Sequence, residues 1–187
     1  DTTLPREAAL VVNTQSRRGE DQFHEARRKL TEAGVALAAV HAVDDAETFL
    51  PTVRRAVASG VPMVIVGGGD GSLSTAIDAF IGHDCVFALL PLGTANSFAR
   101  TLGIPLDLDG AVRTIAEGTR LRLDLGVING DYFVNAAALG VSPLIGETVP
   151  HDLKRYAGRL GYLLWAIWCL LQFKPFRPKV RLRADLC

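Results

Sequence analysis

Residues 8–12 form an unbroken apolar run that ends in the polar stretch Asn13-Thr14-Gln15-Ser16-Arg17-Arg18-Gly19, a pattern that predicts a buried strand followed by a loop. Over residues 20–33 the apolar positions Phe23, Ala26 and Leu30 recur every three or four residues, and Gly34 follows as a stop; this is the punctuation of a helix. A second strand is predicted over 35–40. Asp44, Asp45 and Glu47 then open a second helix, where acidic side chains suit the positive end of the helix dipole, and it runs through Val53 and Val57 to Gly60. A third apolar strand, 63–66, enters Gly67-Gly68-Gly69-Asp70-Gly71-Ser72 directly, with a helix predicted over 73–80. The fourth strand, 85–90, is broken by Pro91 and leads through Leu92-Gly93-Thr94-Ala95-Asn96-Ser97-Phe98-Ala99-Arg100 toward a further helix. Strands that are apolar throughout and alternate with helices belong to a parallel sheet covered on both faces. The predicted class is α/β, a doubly wound and mostly parallel sheet.

After a helix at 108–118 the pattern changes, because the strand-like stretches 121–128 and 132–139 flank Asn129-Gly130, the strongest short hairpin signal. Residues 155–173 read as one helix, Pro175 and Pro178 prevent its continuation, and 179–184 is strand-like again. The expected organisation is an α/β domain over 1–140, then a tail helix and the start of a second, β-rich domain over 141–187.

Composition narrows the class. With 49% apolar residues in 187, the chain buries a core of one or two domains, and disorder is excluded. Twenty Lys plus Arg balance twenty Asp plus Glu, which argues against a protein that holds nucleic acid by bulk electrostatics. The balance hides a split: residues 1–150 carry 12 basic and 18 acidic side chains, whereas 151–187 carry 8 and 2. Cys85, Cys169 and Cys187 are odd in number and widely spaced, so they define neither a disulfide framework nor a metal site, and a reducing cytoplasm is expected. The first residues carry no signal peptide, and the longest apolar run, 161–173, is shorter than the about 20 residues that a bilayer crossing needs.

Ligands of open parallel sheets bind beyond the carboxyl ends of the strands, where the polar loops just described leave. The most informative is GGGDGS. Its glycines let backbone N–H groups approach a phosphate, the next helix supplies a positive end, and Asp70 sets one carboxylate among them. That acid suits magnesium, directly or through water, or a proton taken from an attacking hydroxyl; the plain alternative is a tight turn with Asp70 as a helix cap. There is no GxxxxGK[ST], Ser72 stands where a Rossmann GxGxxG started at Gly67 needs glycine, and neither GxSxG nor HExxH occurs. The four histidines share no ligand spacing.

In the first loop Asn13, Ser16, Arg17 and Arg18 form a set able to hold a base and a polyphosphate, though solvated basic loops are common. Thr94, Asn96 and Ser97 stand before a helix, where capping alone would also explain them. Taken together, VGGGDGS, then LLPLGTANSFAR, after an opening VVNTQSRRG, resemble the catalytic domain of the diacylglycerol kinase family, which includes bacterial lipid kinases and sphingosine kinases. LRLDLGVINGDYFVNAAALG and KRYAGRLGYLLWAIWCLLQFKPFR are similar to this family too.

The resemblance implies transfer of phosphate from ATP to a lipid hydroxyl, with magnesium, on a phosphofructokinase and NAD kinase-like N-terminal domain. It makes Gly68, Gly69, Asp70, Gly71 and Ser72 the triphosphate cradle, Asn13, Ser16 and Arg18 contacts near the nucleotide, and Thr94 with Asn96 a second wall. Asp70 is then the catalytic acid, and Asp124 matches an acidic position that helps organise the site; a salt bridge from Asp124 to Arg120 or Arg122 is the alternative. No metal ligand set is assigned. Ser97 stands where many members have Asp, Thr14 replaces a proline common in the first loop, and a threonine that many bacterial members keep is absent near Val40 and His41. The family's β-rich second domain closes the cleft and in many members supplies further acids, so these residues alone are expected to hold ATP without turnover. The basic, Trp-bearing stretch 155–179 suits peripheral contact at the inner membrane surface, with packing of Leu160, Leu163, Leu164, Ile167, Leu170 and Leu171 onto protein as the alternative. A kinase for a soluble acceptor, of NAD or sugar phosphate type, and a non-catalytic nucleotide-binding module are the rival readings.

Overall fold

The computed structural model describes residues 3–16, 18–134, 165 and 167–172. The chain divides into two compact units, Asp1–Asn135 and Ala136–Cys187. In the first unit the described elements run β1 (Glu7–Asn13), α1 (Gly19–Glu32), β2 (Ala36–Val43), α2 (Ala46–Ala58), β3 (Met63–Gly68), α3 (Asp70–Ala76) with a 3-10 turn at Ile77–Phe80, β4 (Val86–Pro91), α4 (Ser97–Thr101) and α5 (Leu108–Glu117). A short antiparallel hairpin of β5 (Gly126–Ile128) and β6 (Asp131–Phe133) follows, with Asn129 and Gly130 both at positive φ in its turn. That turn is the one an Asn-Gly pair favours.

The four long strands form one parallel sheet in the order β2-β1-β3-β4. Side chains alternate across it, so each central strand feeds two cores. Leu10, Val12, Met63, Ile65 and Leu90 meet Phe23, Ala26 and Leu30 of α1 and Val112 and Ile115 of α5 on one face. Ala9, Val11, Val64 and Val66 meet Phe49, Val53 and Val57 of α2, together with Ala76, Ala79 and Phe80, on the other. This two-sided burial is why β1 and β3 read as unbroken apolar runs. β2 lies at the sheet edge, where most of its residues are half-buried or exposed, and pairing with β1 carries it on to Val43, past the predicted end at 40.

Two sequence expectations are corrected. α3 begins at Asp70 rather than at 73, so Asp70, Gly71 and Ser72 belong to a helical turn and only Gly69 separates it from β3. The predicted strand 121–128 is confined to Gly126–Ile128; Leu121 and Leu123 are exposed, and the segment that carries Asp124 has no strand partner. The predicted strand 132–139 is β6 as far as Phe133, and most of its remainder lies outside the described residues. In the second unit Trp165 and residues 167–172 are helical, with the Trp165 and Trp168 rings stacked at 4.7 Å; the rest of the predicted helix 155–173 and the piece 179–184 lie outside the described residues. Among the described residues no helix is long and apolar enough to cross a membrane.

Candidate functional site

The strand order fixes where a ligand can enter. α1 leaves β1 toward one face and α3 leaves the neighbouring β3 toward the other, so the carboxyl ends of β1 and β3 flank the point where the winding reverses. Asn13 ends β1 there, and Gly68 ends β3. The side chain of Asn13 spans the gap: its Nδ2 donates to Oγ of Ser72 at 3.0 Å, while its Oδ1 accepts the Gln15 N–H at 3.1 Å. Gly68 leaves room for this contact, since a Cβ on it would sit 2.6 Å from both Cβ and Oγ of Ser72.

The loops after β3 and β4 touch backbone to backbone. A Cβ on Gly93 would lie 2.4 Å from Cα of Gly69 and 2.8 Å from Oδ1 of Asn96. The β4 loop is closed by Asn96, a buried residue in the left-handed region at φ 47, whose Oδ1 accepts from Gly93 N–H at 3.0 Å and whose Nδ2 donates to the Gly93 carbonyl at 2.8 Å. Its amide thus bonds within its own loop.

Asp70 joins the two loops. Its Oδ2 accepts the Ser97 N–H at 2.9 Å and its Oδ1 accepts the Phe98 N–H at 3.1 Å. Those are the first two residues of α4, whose own N-cap, Asn96, provides no side-chain cap. Asp70 therefore caps a helix, but a different one from the helix it begins. The two backbone N–H donors, Ser97 first, hold its carboxyl below its ordinary value of 3.8, with a smaller contribution from the Ser97 side chain. The sign follows: stabilisation by Asp70 is complete above the unfolded value and is lost as pH falls through the lower folded value. The expected result is a stability gap between the protein and Asp70→Asn that stays constant at neutral pH and closes only below about pH 4. Urea unfolding of both proteins across that range measures it.

Of the predicted site residues, the structure links Asn13 with Ser72, and Asp70 with the loop that Asn96 closes. Ser16, Arg18 and Thr94 are exposed on the loops after β1 and β4, and Asp124 is exposed ahead of β5. None of these four makes a side-chain hydrogen bond or ion pair with the linked groups among the described residues. Arg17 lies outside the described residues. Sequence reasoning missed Gly93 as the contact point of two loops and Ser97 as a partner of Asp70. Among the described residues no group of three His, Cys, Asp or Glu side chains could hold a metal ion.

The four-stranded parallel sheet flanked by helices is a doubly wound α/β domain. Residues 7–128 match the diacylglycerol kinase catalytic domain, and the chain belongs to that family. It is 34% identical over 137 residues to a protein of Shewanella frigidimarina named "Probable lipid kinase YegS-like", covering 71% of this chain and 44% of the relative. A Pseudomonas aeruginosa protein of the same name is 33% identical over 163 residues, 86% of this chain and 53% of the relative. The crystal structure of a diacylglycerol kinase from Bacillus anthracis superposes with TM-score 0.61 at 26% identity, over 70% of this chain and 50% of that one. The chain thus spans about half the length of these relatives.

Proposed function

We propose that this chain is the nucleotide-binding part of an ATP-dependent lipid kinase that transfers the γ-phosphate to a lipid hydroxyl, of diacylglycerol or sphingoid type. The observation that carries the reading is the joining of the chain ends after β1, β3 and β4, Asn13 to Ser72 and Asp70 to Ser97, within a chain of the lipid kinase family. The N–H groups of Asp70, Gly71 and Ser72 lie in the first turn of α3, where the chain supplies no intrahelical acceptor. Together with the Ser72 hydroxyl they suit phosphate oxygens. Ser16, Arg18 and Thr94 are exposed beside them and would contact the rest of the nucleotide. Asp124, exposed ahead of β5, is retained as a candidate acid that helps organise the site.

Magnesium fits this donor set as a companion of the triphosphate. Among the described residues Asp70 supplies a carboxylate at the loops, and magnesium keeps most of its waters and takes one or two carboxylates beside substrate phosphates. Bound there it would neutralise phosphate charge. The chain's own residues fix the phosphates and keep α4 in register, which is most of what phosphoryl transfer requires. The lipid acceptor implies peripheral contact with a membrane surface on the cytoplasmic side.

The test is transfer of radiolabelled γ-phosphate by the full-length protein, with diacylglycerol and a sphingoid base in mixed micelles and NAD and a sugar phosphate in solution. Label in a lipid supports the reading. Label only in a soluble acceptor replaces it with the soluble kinase, and ATP binding without label in any acceptor leaves a nucleotide sensor.

A further inference from the structure

Five threonine hydroxyls in the helices share one habit. Thr31, Thr52, Thr75, Thr101 and Thr114 each donate to the carbonyl four residues back, at 2.8 to 3.0 Å. That back-bond is the ordinary fate of a hydroxyl inside a helix. Ser72 departs from it. The carbonyl four residues before it, Gly68, accepts the Leu92 N–H at 2.9 Å, a contact that ties β3 to the β4 loop. Ser72 Oγ instead accepts from Asn13, and its own proton has no acceptor among the described residues. The Asn13 amide oxygen accepts from Gln15 and its nitrogen donates to Ser72. Both side chains are half-buried at the ends of β1 and β3.

We infer that Asn13 is a positioning residue that acts on a bound phosphate through Ser72, rather than a direct contact to the base or sugar of the nucleotide. A hydroxyl has one proton and two lone pairs. By donating to one lone pair, Asn13 obliges the Ser72 proton to find its acceptor elsewhere, and a phosphate oxygen at the sheet end is such an acceptor. Replacing Asn13 by Ala removes that donor without adding a charge, and the Ser72 proton is then free to turn away from the phosphate. The inference rests on the proposed nucleotide site and assigns the division of labour within it.

The test is a double-mutant cycle in the full chain with Asn13→Ala, Ser72→Ala and the pair, read by calorimetric binding of ATP, inorganic tripolyphosphate and adenosine, with thermal unfolding as control. Expected are about tenfold losses for ATP and tripolyphosphate in each single variant, no larger loss in the pair, and unchanged adenosine binding. Ser72→Thr, which keeps the hydroxyl, is expected to recover most of the affinity that Ser72→Ala loses. Losses that add in the pair, or an Asn13→Ala loss that extends to adenosine, overturn the inference while leaving the nucleotide site in place. A loss that tracks the fall in unfolding temperature across all three ligands overturns it as a purely structural contact. If the unaltered chain binds neither ATP nor tripolyphosphate, the underlying site falls with it.

Discussion

Asp70→Asn is expected to weaken ATP binding in the presence of magnesium by about tenfold to a hundredfold, about 1.4 to 2.8 kcal/mol, and to leave ATP binding without magnesium unchanged or slightly tighter. The opposite signs come from one charge. Without a cation the carboxylate repels the triphosphate, so removing it relieves repulsion; with magnesium it attracts the metal complex, so removing it forfeits attraction. The same substitution is expected to cost about 1 to 2 kcal/mol of stability, because an amide keeps one acceptor oxygen where the carboxylate served both Ser97 and Phe98. Calorimetry with and without magnesium, beside urea unfolding, separates the two effects. Equal magnesium dependence in both proteins, with the stability loss intact, would reduce Asp70 to a cap for α4.

The depressed carboxyl of Asp70 also bears on its chemistry. The two N–H bonds favour its anionic form and fasten it to α4.

The sheet was legible because its strands are buried on both sides. In residues 8–12 and 63–66 every position faces a core, so no solvent-facing residue interrupts the run, and the helices between them carry ordinary spacing and stops. The start of α3 was not legible. Gly-Asp-Gly-Ser has the composition of a turn, and its helical turn is held by tertiary contacts: Leu73 and Ala76 are buried, and Asp70 is fastened to α4. Asn96 shows the opposite limit. A polar residue before a helix reads equally as cap or ligand, and only the structure shows its left-handed backbone and its paired bonds to Gly93. The segment around Asp124 alternates well enough to look like a strand, yet Leu121 and Leu123 find no core, so alternation alone did not make one. Contacts such as Asp70 to Ser97, 27 residues apart, leave no periodic trace.

Two glycines in the joined loops should respond in opposite directions to a single methyl. Gly93→Ala is expected to lose about 2 to 3 kcal/mol of stability, because the new Cβ would come within 2.4 Å of Gly69 Cα and the obstacle is backbone, which cannot rotate aside. The β3 and β4 loops must part to admit it, which strains the Asp70 bonds to α4 as well, so ATP affinity falls with stability. At Gly71 nothing lies within 4 Å of an added Cβ, and the residue sits in the first turn of α3. Gly71→Ala is therefore expected to stabilise the free protein by about 0.5 to 1 kcal/mol, through a less flexible unfolded chain. If the triphosphate lies over this turn, that same methyl stands in its path, and ATP binding drops by about tenfold in a protein that has become more stable. Gain of stability with loss of affinity is the expected signature of open space that belongs to the ligand. A Gly71→Ala protein that binds ATP as well as the parent would move the phosphates off α3.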